Sequence, residues 1–239
     1  MNKIRIKLDG ISPGTEISTI QRIKPDIIGV DISEHFFSVD MIETYHRFIE
    51  NFNSIFEEIG SSVCLGVNLN ILSHEQCIAI VNRHKPQYVE FYYEYYPSKD
   101  VIAAIESYNG KIIFSHIDIS ETMGNRYIDY VILEYHKHVP NIDFFQLELL
   151  GEYEDAWKVI TEIAAKRNDM LTAGDLESIA SKHPIYIQML FSVDNICDVI
   201  TSIASTKGIV FDLRHTPERE VEHAVEKLRS QCACPRVFE

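Results

Sequence analysis

The chain lacks several things that would decide its class at once. No apolar run approaches the roughly 20 residues needed to span a bilayer. Its start, MNKIRIKLDG, has no apolar core followed by a small-residue cleavage site, so no secretory signal is expected. Basic residues are scarce, 22 Lys and Arg against 36 Asp and Glu, and the net charge of -14 argues against nucleic acid or an anionic membrane as partner. No Pro-, Gly- or Ser-rich linker divides the 239 residues, which are expected to form one domain, 1–239, with a tail from about 231. The five cysteines are scattered, which predicts reduced thiols and a cytoplasmic protein. Cys232 and Cys234 form a CAC in the tail, but no second Cys/His pair lies nearby in sequence to complete a tetrahedral metal site. No metal and no cofactor are expected.

What is present is a rhythm. Strand-like runs occur at 3–8, 26–32, 62–69, 88–94, 111–117, 142–149, 184–190 and 208–214. Amphipathic stretches lie between them. Residues 73–85 carry Ser73 as N-cap with Cys77, Ile78 and Val81 at helical spacing. Residues 153–166 follow the same pattern, and 216–230 start on Thr216 as N-cap with Pro217 in the first helical position. The apolar residues of 127–138 fit a helix better than a strand, and 168–183 reads as an extra short helix capped by Thr172. Eight strand-then-helix units predict a single α/β (βα)8 TIM barrel.

Side chains alternate across a strand, so each run can be split into two faces. One face is nearly all apolar: Ile4, Ile6 and Leu8; Ile28 and Val30; Val63, Leu65 and Val67; Val89 and Phe91; Ile113 and Ile117; Phe145, Leu147 and Leu149; Ile185, Ile187 and Met189; Ile209, Phe211 and Leu213. The other face is polar in every strand. It carries Arg5, Lys7 and Asp9; Gly29 and Asp31; Asn68 and Asn70; Glu90 and Tyr92; His116 and Asp118; Gln146 and Glu148; Tyr186 and Gln188; Asp212 and Arg214. Barrel strands turn one face to the helices and the other to the axis, where the C-terminal ends hold the active site. Polar groups at an axis are costly unless paired, so this set marks a ligand-binding mouth.

Asp9 ends its strand immediately before Gly10 and is the leading general base. Glu148 is the matching acid, with Glu134 or Glu162 in its place under another strand register. His116 beside Asp118 supplies a second acid/base pair. Lys7, Asp31, Asn68, Glu90, Tyr92, Asp118, Gln146, Gln188, Asp212 and Arg214 are expected to bind substrate. Arg214 would clamp a carboxylate, and a desolvated Lys7 would be a nucleophile. Tyr92, Tyr93, Tyr95 and Tyr96 could stack on a ring. Glu90, His116, Asp118 and Asp212 are the one set of side chains that could hold a divalent cation.

Several stretches resemble phosphoribosylanthranilate isomerase, a small (βα)8 enzyme. KLDGIS (7–12) is similar to its first-strand motif, with Asp9 in place of the catalytic cysteine. KPDIIGVDI is similar to its second strand, CLGVNLN and YVEFYYE to its third and fourth units, and FSVDNICDVI with GIVFDLR to its last two. The resemblance implies an Amadori-type proton transfer, with a base on the first strand and an acid on a later one. The related histidine-pathway isomerase uses aspartates for both, a scheme that Asp9 and Glu148 would fit. The sequence differs from the family where it holds phosphate. LFSVDN and LRHTPE, after the seventh and eighth strands, have no glycine, and LLGEYED after the sixth is acidic. Residues 111–122 and 143–160 resemble type I 3-dehydroquinate dehydratase. There the catalytic histidine falls on Ile117 and the Schiff-base lysine on Gln146, so imine chemistry is not implied at that position.

The expectation is therefore an acid/base isomerase of a small polar metabolite. A lyase or hydrolase using His116 and Asp118, metal-assisted or not, is the second reading, and a barrel that has lost its chemistry and only binds is the third. The expected partner is a small-molecule substrate, with a homodimer left open.

Overall fold

The computed structural model describes residues 4–32, 39–92, 95–120, 125–139, 141–149, 155–167 and 170–232. Tyr93, Cys234 and the end of the tail lie outside them.

β-branched and aromatic residues dominate the strand-like runs, and each run forms a strand. They are β1 (Arg5–Asp9), β2 (Ile27–Asp31), β3 (Ser62–Val67), β4 (Tyr88–Tyr92), β5 (Lys111–Ile119), β6 (Ile142–Leu149), β7 (Ile185–Gln188) and β8 (Gly208–Asp212). All neighbours pair in parallel, in the order β1 to β8, and β8 returns to β1 through Arg5↔Gly208 to Asp9↔Asp212. The result is a closed eight-stranded TIM barrel. Closure leaves no sheet edge unpaired and brings the first strand beside the last.

The helices are α1 (Ile17–Ile23), α2 (Val39–Glu58), α3 (His74–His84), α4 (Lys99–Glu106), α5 (Asn125–His138), α6 (Ala156–Lys158), α7 (Ala173–Lys182), α8 (Ile196–Ser202) and α9 (Glu218–Lys227). α3 starts on Ser73 and α7 on Thr172, and each carries a full capping box, through Gln76 and Asp175 respectively. In α9 the N-cap is Pro217, one residue later than the Thr216 expected. The amphipathic stretch after β6 is helical only for one short segment. It then widens into a π turn, Val159–Ile163, and ends in a 3-10 turn, Ala164–Lys166.

The outer apolar face is as the alternation predicts on seven strands. It packs with the helices into one core that includes Ile6, Leu8, Val30, Leu65, Phe91, Leu147, Ile187 and Phe211. β5 departs from it. Ile112 and Phe114 point outward before a register shift that falls between Phe114 and Ile117, and Ile117 and Ile119 point outward after it. His116 sits in the shift with φ +54°. One extra residue in a strand reverses the phase of alternation. Ile113, expected on the outer face, therefore points to the axis.

The axis is also less uniformly polar than expected. Ile27, Cys64, Tyr88, Ile113, Phe144, Tyr186 and Val210 form a separate buried apolar layer inside the barrel. Phe144 and Tyr186 stack there with ring centroids 3.7 Å apart. Arg5 donates to the Tyr88 hydroxyl at 3.0 Å at this level. The polar residues begin one layer higher. Cys64 and Cys77 are free and buried, whereas Cys197 is disulfide-bonded, which overturns the reading of five reduced thiols. Among the described residues no helix is long and apolar enough to cross a membrane.

Candidate functional site

Above the apolar layer the barrel axis is filled by a cationic side chain. Lys7, on β1, is fully buried. Its ammonium donates to Asp9 Oδ2 at 2.7 Å, Glu90 Oε2 at 2.6 Å and Gln146 Oε1 at 2.7 Å. All three donor positions are used, so the cation is satisfied without water. Gln146 Nε2 donates in turn to Asp9 Oδ2 at 3.1 Å and to Gln188 Oε1 at 2.5 Å. The Cys64 thiol lies 3.4 Å from Glu90 Oε2. Strands β1, β3, β4, β6 and β7 thus contribute to one network.

The network holds one cation and two carboxyl groups, and burial penalises every charge. Burial would lower the Lys7 pKa, but Asp9 and Glu90 outweigh it and hold the ammonium charged well above the ordinary lysine value. A nucleophilic lysine needs the free amine, so the Schiff-base role expected of Lys7 does not fit this arrangement. Burial pushes Glu90 up, yet Lys7 and hydrogen bonds from Lys7 and Ser115 hold it at about 2. Asp9 has the same cation but not the same balance. Burial raises it, Lys7 lowers it, and the negative charges of Glu90 and Asp212 raise it again, to about 6. Of the two carboxyl groups, Asp9 is the one that exchanges its proton near neutral pH.

Asp9 forms part of the floor of a cleft at the C-terminal end of the strands. The cleft is lined by Asp9, Gly10, Gly29, Val30, Asp31, Gly66, Glu90, Tyr92, His116 and Arg214. The glycines make the room. A Cβ at Gly29 would stand 1.8 Å from Asp9 Oδ1, and Gly10 holds φ +75° with Asp212 Oδ1 2.8 Å from where its Cβ would be. Gly29→Ala is expected to push the Asp9 carboxylate off Lys7. A further rise of the Asp9 pKa in the variant, because the Lys7 charge that lowers it is withdrawn, checks this by ¹³C NMR on Asp-labelled protein; an unchanged titration would show that Asp9 is not held as described.

On the β4–β5 side the Tyr92 hydroxyl donates to Asp31 Oδ2 in a short hydrogen bond. The Tyr92 ring lies 4.1 Å from the His116 ring, centroid to centroid, and His116 Nδ1 shares a 3.0 Å hydrogen bond with Ser115 Oγ. The left-handed backbone at His116 is a conformation that costs a non-glycine residue about 1–2 kcal/mol, and the register shift directs its ring to the cleft wall. On the β8 side Asp212 receives Arg214 through its backbone N–H at 2.8 Å, through Nε at 3.0 and 3.1 Å, and through Nη2 at 2.7 Å. Burial would raise Asp212, but Arg214 holds it below the ordinary carboxylate range. The guanidinium expected to clamp a substrate carboxylate is thus already engaged by one from its own strand.

Among the residues singled out in the sequence, Asp9, Asp31, Glu90, Tyr92, His116 and Arg214 line the cleft. Lys7, Gln146 and Gln188 lie beneath it as the network, and Asp212 backs Arg214. Glu148 is opposite Asp118 on β5 and Gln188 on β7 in register. Burial, then the neighbouring Asp118 charge, push its carboxyl above the ordinary value. Glu148 and Asp118 stand beside the cleft, not among its lining residues. Asn68 lies just beyond β3, where its side chain accepts from Asn70 N at 2.9 Å. Glu134, the first stand-in for Glu148, is on α5 and pairs with Lys137; Glu162, the second, is in the π turn after α6. Tyr96 packs on Tyr135 and His138 outside the barrel, so it does not join Tyr92 in one cluster at the mouth. Glu90, His116, Asp118 and Asp212 do not converge on one cation position, and among the described residues no other three His, Cys, Asp or Glu side chains do. Ser115 and Gly66 were not expected in the site; the signal of Gly66 was its place on the inward phase of β3.

The class is therefore a single (βα)8 barrel with a polar cleft at the C-terminal mouth. Within it, the chain resembles phosphoribosylanthranilate isomerase structures at low sequence identity. That from Thermococcus kodakaraensis matches with TM-score 0.65 and 14% identity over 95% of this chain and 100% of the other. That from Pyrococcus furiosus matches with TM-score 0.63 and 14% identity over 95% and 99%. A 3-hexulose-6-phosphate synthase from Salmonella typhimurium matches with TM-score 0.57 and 12% identity over 95% and 99%. No protein-family model matches the chain, and no curated protein does.

Proposed function

We propose that the protein is an acid/base isomerase of a small polar metabolite, with Asp9 as base and Glu148 as acid. The observation that carries this is the Asp9 carboxyl, on the cleft floor, with its pKa raised to about 6. A general base works best with a pKa near the working pH, and 6 leaves it mostly ionised at neutrality yet still a fair proton acceptor. Glu148, pushed up by burial and Asp118, keeps its proton to higher pH than an exposed carboxyl and suits the opposite role. In the proposed cycle Asp9 takes a proton from the carbon next to a carbonyl or imine. Glu148 protonates the heteroatom on which charge develops. Lys7 stays an ammonium throughout and stabilises ionised Asp9 for the next turn. Tyr92 orients Asp31, and Gln146 fixes the Asp9 carboxylate. The solved barrels this chain resembles include isomerases, which supports the reaction class, while the shared fold alone does not name the substrate.

The test is hydrogen exchange. Metabolites that raise the Tm of the purified protein are incubated with it in D₂O. At least one is expected to gain deuterium at carbon, and Asp9→Asn is expected to lower that rate by roughly 10²–10⁴-fold, the usual size of a general-base contribution. Exchange at an undiminished rate in Asp9→Asn would remove Asp9 from the mechanism.

A further inference from the structure

We propose that the cleft takes a small molecule bearing a protonated amine and no phosphate. The proposal rests on reading this cleft as the substrate site, and it names the substrate class. Four carboxyl groups stand in or directly behind the cleft wall: Asp9, Asp31, Glu90 and Asp212. Among the described residues the cations there are two, Lys7 and Arg214. Lys7 is sealed under the floor with all three donors used, and Arg214 is held by Asp212 at two side-chain nitrogens. Asp118 and Glu148 add acidity at the mouth. A confined space in which carboxyl groups outnumber cations concentrates ligands of positive charge.

Where a barrel of this kind binds phosphate, the chain itself uses many of the backbone donors. Such sites use backbone N–H groups of the loops after the seventh and eighth strands. After β7, Ser192 N donates to Asn195 Oδ1 at 2.9 Å, and Asp194 N and Asn195 N donate to Ser192 Oγ at 3.2 and 3.3 Å. After β8, Leu213 N donates to the Asp9 carbonyl and Arg214 N to Asp212 Oδ1, while His215 N and Thr216 N donate to the Asp212 carbonyl. The helices that follow carry Asp198, and Glu218 with Glu220, in their first turns. Acidic side chains in the first turn of a helix disfavour an anion at its N-terminus.

The amine would sit on Asp31, which lines the cleft and whose carboxylate is oriented by the Tyr92 hydroxyl. The Tyr92 ring beside it offers a face for the cation.

The experiment compares probes of matched size by thermal shift: ethanolamine, putrescine and glucosamine against glucose, glycerol 3-phosphate, ribose 5-phosphate and inorganic phosphate. At least one amine is expected to raise Tm by about 2–4 °C at saturating concentration. Asp31→Asn, checked for an unchanged Tm without probe, is expected to weaken that amine about 10- to 100-fold. A Tm rise with any of the phosphates, no rise with any amine, or amine binding indifferent to Asp31→Asn would each overturn the proposal. Amine binding without Asp9-dependent deuterium exchange would retire the isomerase reading and leave this one standing. Phosphate binding with Asp9-dependent exchange would do the reverse.

Discussion

Lys7→Met is expected to be the most destabilising single substitution in the barrel interior, by about 3–5 kcal/mol at pH 7. The side chain it replaces is fully buried between two carboxyl groups at 2.6 and 2.7 Å. Methionine fills a similar volume but offers no charge and no donor. Asp9, Glu90 and Gln146 would each lose a partner, and two like charges would face each other in a dry cavity. Against a total stability of about 5–15 kcal/mol, such a loss threatens folding itself.

The design of the measurement separates a lost ion pair from lost packing. In Lys7→Met both carboxyl groups have folded pKa values above their unfolded ones. Each then favours folding more as pH falls through its folded value, and that gain is complete below the unfolded value. The deficit against wild type should therefore shrink from pH 7 toward pH 4.5. Lys7→Met combined with Asp9→Asn and Glu90→Gln removes both charges together with the cation, and should recover most of the loss, since a buried ion pair and a neutral replacement often differ little. Urea denaturation of the single and triple variants across that pH range is the check. A deficit that does not change with pH, or a triple variant no better than the single one, would mean that Lys7 matters for its shape rather than for its charge.

How much of this was legible in the sequence differs by layer. The barrel could be read because its strands obey one rule, apolar outward, repeated around a closed sheet. Ile6 and Leu8, Val63 and Leu65, and Ile185 and Ile187 all follow it. The rule failed on β5 because it assumes an unbroken period of two. Nothing in KIIFSHIDI announces the residue at φ +54° that reverses the phase at His116. The apolar plug was missed for a different reason. Phe144 and Tyr186 are as apolar at one end of their strands as Gln146 and Gln188 are polar at the other, and treating each inward face as a whole hid the change of layer. In the site, the sequence placed Lys7, Asp9, Glu90 and Gln146 on the same side of their strands. It could not reveal that one ammonium would bond to all three of the others, because that depends on the stagger of strands distant in the chain. Arg214 shows the same limit from the other direction. Its charge suggested a ligand, and its actual partner is two residues away.

Glu90→Gln is expected to move the Asp9 pKa from about 6 down to the ordinary carboxylate range or below. The reason is the imbalance of the network. Wild-type Lys7 is shared between two carboxyl groups, Glu90 takes the larger benefit and sits at about 2, and its negative charge is one of the causes that lift Asp9. Glutamine keeps the shape and an oxygen for Lys7 but removes that charge. The stability consequence follows by sign. In the wild type, Glu90 is depressed, so its contribution is present above about 4.5 and lost as pH falls through about 2, whereas Asp9 is raised, so its ionisation costs stability above about 6 and that cost disappears as pH falls toward 3.8. In Glu90→Gln the cost of ionising Asp9 should be gone, and stability should no longer improve between pH 7 and pH 4. The consequence for proton transfer is a crossing. At pH 5 a group of pKa 6 is about one-tenth ionised, so the variant can gain up to about tenfold in the fraction of active base. Near pH 8 both proteins are fully ionised, and the variant's weaker base should make it the slower. ¹³C titration of Asp9 together with deuterium exchange at pH 5 and pH 8 reads both halves. A titration that stays near 6 in Glu90→Gln would show that burial alone sets the Asp9 pKa, and that Glu90 is present only to hold Lys7.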